Sequence, residues 1–192
     1  ADTAEGRRCC RMIYTLKYSS PLGGIVVACD GEALTGLWFE GQKYFGDTLP
    51  EQYEEKEAEK MPVLGEAKRW LDIYFSGRDP GFTPPLAIEH MTEFRRQVCE
   101  IMLEIPFGET MTYGQIAKHV AQMRGLESMS SQAVGGAVGH NPVSLIIPCH
   151  RVVGTNGSLT GYAGGIDRKV RLLELEGTDM SCLFVPAKGT AL

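Results

Sequence analysis

The sequence predicts an α+β protein: a small N-terminal α/β domain with an antiparallel sheet, then a mostly helical C-terminal domain. Three observations carry that prediction. Apolar and polar residues alternate near the start, as in a half-buried strand. Apolar residues recur at helical spacing later in the chain. A stretch rich in proline and glycine separates the two regimes. The chain has 192 residues, 43% of them hydrophobic, enough for one large or two small cores. The expected division is residues 1–88 and residues 89–192.

Each element follows in order. Met12 to Tyr18 alternates and predicts a strand. Gly24 to Cys29 and Ala33 to Phe39 flank Asp30-Gly31-Glu32, a hairpin signal. The charged run Glu51 to Lys60 reads as a solvated helix face or loop. Leu64, Ala67, Leu71, Tyr74 and Phe75 share one side of a helix over 64–75. Arg78-Asp79-Pro80-Gly81 and Pro84-Pro85 form the linker.

Beyond the linker, Phe94, Val98, Ile101, Met102 and Ile105 mark a helix that ends before Pro106. Cys99 lies beside this stripe and reads as packing. Thr112-x-x-Gln115 fits a capping box opening a helix from Tyr113 to Ala121. A polar connection, Gln122 to Ser130, leads to a helix from Ser131 to Gly139, giving a helix-turn-helix pattern. A last helix runs from Asp167 to Glu176 and stops at Gly177.

The net charge is −5, which argues against a general polyanion binder. The charge is uneven. Residues 110–172 hold Lys118, Arg124, Arg151, Arg168, Lys169 and Arg171 against Glu127 and Asp167 only. A basic segment on an acidic body suits local, salt-sensitive DNA contact. Chance clustering would give the same pattern. No apolar run is long enough to span a bilayer, and Ala1 to Arg11 does not read as a signal peptide. The six cysteines are too scattered for a disulfide scaffold, and a reducing cytosol is the expected compartment.

The run Ile147-Pro148-Cys149-His150-Arg151-Val152 is the strongest chemical signal. A cysteine acts as a nucleophile only as thiolate, and cationic or hydrogen-bonding neighbours favour that form. A buried cysteine is otherwise a small apolar residue. The surroundings decide between the two. Upstream lie Pro106-Phe107-Gly108-Glu109-Thr110, Thr112-Tyr113-Gly114, Gln132-Ala133-Val134-Gly135-Gly136-Ala137-Val138-Gly139 and Asn141-Pro142. Downstream come Gly154-Thr155-Asn156-Gly157 and Gly161-Tyr162-Ala163-Gly164-Gly165.

Together these segments resemble the O6-alkylguanine-DNA alkyltransferase family, the methylated-DNA–protein-cysteine methyltransferases. The resemblance is continuous from about Thr92 to Gly177 and reaches loosely to Ser20-Pro21-Leu22-Gly23. It implies irreversible transfer of a methyl or alkyl group from O6 of guanine, or O4 of thymine, to Cys149. Cys149 would then carry a thioether that water does not displace, so each molecule acts once, without a cofactor. It also implies minor-groove binding by the helix-turn-helix and flipping of the target nucleotide. The expected partner is alkylated double-stranded DNA, with no membrane and a monomeric protein. The expected location is cytoplasmic, at the nucleoid in a bacterium or in the nucleus of a eukaryote.

The resemblance assigns roles residue by residue. His150 is the base, acting through a water, and Glu176 orients the imidazole. Glu176 at a helix end opposes the helix dipole, which hints at such a task. Asn141 holds the turn joining the Ser131–Gly139 helix to an active-site strand and hydrogen-bonds near the thiol. Tyr113 protonates the leaving purine and presses on the target phosphate, although a helix-start aromatic can be structural. Gln132, Ala133, Gly135, Gly136 and Arg151 contact DNA. The small residues of that helix admit close approach of its backbone to a minor groove, or equally close packing on a neighbour. Val152, Tyr162, Ala163 and Gly164 line the substrate pocket.

Two departures stand out. Many family members place Arg where this chain has Gln132, which fills a stack but brings no charge. Some relatives bind a structural zinc in the first domain. Here Cys9, Cys10 and Cys29 are present, but Thr35 stands where a His ligand is expected, so no metal is predicted. The main alternative is a non-enzymatic sensor or regulator of alkylated DNA on the same scaffold, and such proteins lack the cysteine. A Cys-His hydrolase would need an oxyanion hole that nothing in the sequence indicates.

Overall fold

The computed structural model describes residues 11–187. The first part builds a sheet in the order β3-β2-β1-β4, from β1 (Tyr14–Ser20), β2 (Gly23–Cys29), β3 (Leu34–Phe39) and β4 (Glu54–Glu55). β1 and β2 pair antiparallel across the Pro21-Leu22 turn, where Gly23 takes φ +118°. The hairpin between β2 and β3 is closed by Asp30, whose carboxylate accepts from the backbone N–H of Glu32 and Ala33.

The sheet is not wholly antiparallel. β4 is a two-residue strand that pairs parallel to β1 at Tyr14 and Thr15. It lies in the charged run, and both its residues are exposed, so its side chains carried no alternating signal. The expected first strand also shifts by two residues, to Tyr14–Ser20.

Helix α1 (Pro62–Phe75) lays Leu64, Ala67, Leu71 and Tyr74 against the sheet and starts on a proline, which costs no intrahelical hydrogen bond there. The second part contains α2 (Glu93–Leu103), β5 (Met111–Thr112), α3 (Tyr113–Arg124), α4 (Ser131–Gly139), β6 (Val152–Val153) and α5 (Ile166–Leu175). The capping box on α3 forms as the sequence predicts, with Thr112 and Gln115 exchanging hydrogen bonds. α3 runs one turn past Ala121 and ends on Gly125 in the left-handed region. There Leu126 N–H donates to Ala121 O and closes the helix end.

One core cluster runs through both parts, from Ile25, Leu37 and Tyr74 to Val134, Ile147 and Leu172. The join that matters most lies on β3. Leu37 N–H donates to Pro142 O at 2.8 Å, and Ser144 N–H donates to Leu37 O at 3.0 Å. The segment leading to Cys149 is thus clipped to the sheet of the first part. Leu145 follows with φ +69°, a left-handed conformation that the fully buried packing around it sustains. No helix among the described residues is long and apolar enough to cross a membrane.

Candidate active site

Cys149 opens a single 3₁₀ turn, Cys149–Arg151, that leads into β6. The active-site segment is therefore a turn and not a strand. Its cysteine is held from both sides. Asn141 Nδ2 donates to Ile147 O at 2.8 Å, and Asn141 Oδ1 accepts from Val143 N–H at 3.0 Å. This closes the loop between α4 and the cysteine. Cys149 is 4% exposed. Burial pushes it up, while the Asn141 amide, the Lys169 ammonium and local backbone N–H groups pull the other way. Burial wins, so the resting group is a thiol. Cationic neighbours alone do not make the thiolate here, and a base must take the proton.

His150, the next residue, is fully buried. Its Nε2 meets Glu176 Oε1 at 2.5 Å. A carboxylate only accepts, so Nε2 carries the hydrogen and Nδ1 is the basic nitrogen. Among the described residues Nδ1 has no hydrogen-bond partner. Desolvation lowers the His150 pKa below the usual value, and this outweighs the raising effect of Glu176. The imidazole is therefore neutral near pH 7.

Glu176 caps α5 and collects donors from four directions. Oε1 accepts from Tyr74 at 2.7 Å and from Arg151 at 3.1 Å besides His150. Oε2 accepts from Arg151 Nε at 2.9 Å and from Gly108 N–H at 3.1 Å. Burial alone would raise its pKa, but His150 and Arg151 bring it down to about 2. Gly108 is needed where it stands. Its φ is +82°, and a Cβ there would lie 3.0 Å from Glu176 O.

The other side of the thiol is aromatic. Tyr113 is 8% exposed and donates to Thr160 O at 3.2 Å and Gly161 O at 3.4 Å. Tyr162 is buried, its hydroxyl has no partner among the described residues, and its ring centroid lies 6.4 Å from that of His150. Gly164 packs so tightly under Tyr162 that a Cβ would sit 2.6 Å from the ring. Val152 is buried below, while Ala163 is half-buried and bonded through its carbonyl to Lys43 N–H.

The outer face of α4 consists of Gln132, Ala133 and Gly136, all exposed, with open space around Gly136. Ser130 caps this helix through Ala133 N–H. Two expected DNA-contact residues do not belong to that face. Gly135 is buried on the core side of α4. Arg151 is 8% exposed, bonded to Glu176 and to Ile105 O, and lies over the Phe107 ring. Its charge is consumed inside the protein. The basic surplus of residues 110–172 is weaker as a surface feature for the same reason, since Lys169 is also fully buried.

Two residues of the site were not anticipated. Tyr74 reaches Glu176 from the first part of the chain. Lys169 donates to Val152 O at 2.5 Å and to Thr160 O at 2.9 Å, tying the cysteine turn to the pocket loop. Burial lowers its pKa to about 8. A signal for Lys169 exists in the sequence: it shares the apolar face of α5 with Leu172, Leu173 and Glu176. A cavity of about 430 Å³ is lined by Thr35, Trp38, His90, His140 and Asn141 among others, and Cys149 is not in its wall. We place the chemistry at Cys149, where the acid–base groups converge. Among the described residues no cluster of His, Cys, Asp or Glu suits a metal, while Cys9 and Cys10 lie outside them.

The comparisons agree in direction. Residues 93–178 match the family model of the 6-O-methylguanine DNA methyltransferase DNA-binding domain, and residues 12–88 match that family's ribonuclease-like domain. A methylated-DNA–protein-cysteine methyltransferase of Methanosarcina acetivorans is 42% identical over 167 residues, covering 86% of this chain and 99% of that protein. One from Mycobacterium leprae is 39% identical, covering 86% of this chain and 93% of its own. The crystal structure of Mycobacterium tuberculosis OGT in complex with DNA is similar with a TM-score of 0.71 at 37% identity, covering 85% of this chain and 92% of that one.

Proposed function

Given that the chain belongs to the 6-O-methylguanine DNA methyltransferase family, we propose a mechanism in which Cys149 is the alkyl acceptor and His150 its base. The protein is a DNA repair alkyltransferase, a methylated-DNA–protein-cysteine methyltransferase, and not the non-enzymatic sensor. Its partner is DNA. The finer readings are ours: the substrate is alkylated duplex, the protein acts as a monomer, and it works in the cytoplasm or wherever the genome lies. The division of labour is a support of residues 1–88 and a DNA-binding, acceptor domain of residues 89–192.

The observation that carries the mechanism is the buried chain Glu176–His150 beside a buried Cys149. The thiol proton passes through a water to His150 Nδ1, and the imidazolium formed is held by Glu176. Sulfur attacks the alkyl carbon at guanine O6. The S–C bond forms as the C–O bond breaks, and its electron pair enters the purine. The purine takes a proton, in this reading from the Tyr113 hydroxyl, which regains one from solvent as His150 gives up the thiol proton, and it is restored to guanine. The product thioether has no leaving group that water can displace, so the protein is spent.

Delivery of the base follows from the α4 surface. Gln132 enters the stack in place of the flipped nucleotide, while Ala133 and Gly136 let the helix backbone approach the minor groove. Val152, Tyr162, Ala163 and Gly164 receive the base. The test is stoichiometry: mix excess duplex bearing tritiated O6-methylguanine with the protein and count label in the protein fraction. One methyl per molecule is expected. Release of free methyl product with continued turnover, or no transfer, overturns the reading.

A further inference from the structure

Tyr74 belongs to α1, in the first part of the chain and 76 positions before His150, yet its hydroxyl ends inside the acid–base network. It donates its one proton to Glu176 Oε1 at 2.7 Å, and its oxygen lies 3.3 Å from His150 Nε2. Its ring is fully buried, stacked on Trp70 with centroids 5.0 Å apart and edge-on to Phe107. The packing therefore fixes where the hydroxyl points. Tyr74 and His150 compete for one carboxylate oxygen.

We propose that Tyr74 is a positioning residue for His150: by donating to the same Glu176 oxygen, it limits how strongly the carboxylate holds the imidazole. This rests on the reading of His150 as the base. The physical reason is charge sharing. A carboxylate that gives part of its negative charge to a neutral donor stabilises a neighbouring imidazolium less. Arg151 and Gly108 N–H act in the same direction from Oε2, and Arg151 also reaches Oε1. Also near His150 are the Lys169 ammonium and the edge-on Tyr162 ring, and Cys149 is its chain neighbour. Neither the ammonium nor the Tyr162 hydroxyl hydrogen-bonds the imidazole, so among the described residues Tyr74 is the one uncharged side chain that shares Oε1 with it.

Removing the hydroxyl should leave Glu176 freer to bind the imidazolium, and the His150 pKa should rise. Tyr74→Phe keeps the ring and its stacking. Two readouts are taken: the histidine ring resonances of His150 followed by NMR against pH, and the pH profile of alkyl transfer to Cys149. The expected result is an upward move of the His150 titration by about half a pH unit, the scale of one neutral hydrogen bond, with the acidic limb of the rate profile moving by the same amount. A site-specific 3-fluorotyrosine at position 74, a stronger donor of the same shape, should move both downward. It also keeps the test alive should Tyr74→Phe fold poorly. An unmoved His150 titration in a folded variant overturns the proposal, whatever happens to the rate. A titration that moves while the rate profile stays fixed overturns instead the reading of His150 as the base.

Discussion

Arg151 is bound to Glu176 by two hydrogen bonds, Nε to Oε2 at 2.9 Å and an Nη to Oε1 at 3.1 Å, both inside the protein. An arginine beside a catalytic cysteine in a DNA-binding chain invites assignment to the phosphate backbone. The geometry assigns it to Glu176, the carboxylate bonded to His150.

This gives the first prediction. Arg151→Leu leaves Glu176 as a buried carboxylate short of its main counter-charge, which costs about 3–5 kcal/mol. Urea unfolding should show that loss. The salt dependence of DNA binding by folded protein should be unchanged, because no phosphate contact is removed. A slope reduced by about one with little loss of stability would return Arg151 to the DNA interface.

Glu176 makes stability depend on pH at the acid end. Its folded pKa of about 2 lies below the ordinary carboxylate value of 4.5. A depressed carboxylate contributes stability that is complete above the unfolded pKa and is lost as pH falls through the folded one. The window is therefore from about pH 4.5 down to about pH 2, and the loss is of order 3 kcal/mol. Denaturant unfolding at stepped pH should show it, and Glu176→Gln should flatten the profile within that window. An equal slope in the variant would place the acid sensitivity elsewhere.

Gln132 is exposed at the start of α4. Gln132→Arg should tighten duplex binding and steepen its salt slope by about one. Gln132→Gly should slow transfer from duplex DNA and leave transfer from free O6-benzylguanine unchanged, since the free base needs no flipping. Equal impairment on both substrates would mean that the residue supports the fold or the pocket.

Lys169 bridges two carbonyls on either side of the pocket. Lys169→Met fills much the same volume but frees Val152 O and Thr160 O. Hydrogen exchange across residues 158–165 should quicken, and transfer should slow by about tenfold or more, the scale of one buried charged hydrogen bond. Unaltered exchange in that segment would show that Lys169 does not anchor the loop.

The parts of this molecule that were legible in the sequence are those fixed by local chemistry. The α3 capping box, the Asp30 hairpin and the Pro-Cys-His-Arg-Val motif, though not its 3₁₀ conformation, each depend on residues within a few positions of one another. The contacts that assemble the site are long-range. Tyr74 reads as one more apolar position on α1, because periodicity reports which face is buried and not which buried atom is polar. The parallel strand β4 is two residues long and exposed, so its pairing leaves no pattern. Gly135 and Gly136 are neighbours of the same type, and only the helix phase, set by Val134 and Val138 on the core side, separates the buried one from the open one. Arg151 shows a related limit: composition counts a charge but does not say whether it faces inward.

The account stands on Cys149 as the acceptor, and one measurement reaches that directly. The protein is incubated with duplex DNA containing O6-methylguanine, digested, and its cysteine peptides weighed by mass spectrometry. The predicted result is a single added methyl on the peptide holding Cys149, with Cys29, Cys99 and Cys182 unmodified. Methyl on Cys99 or Cys182 instead, or on no cysteine at all, would contradict it.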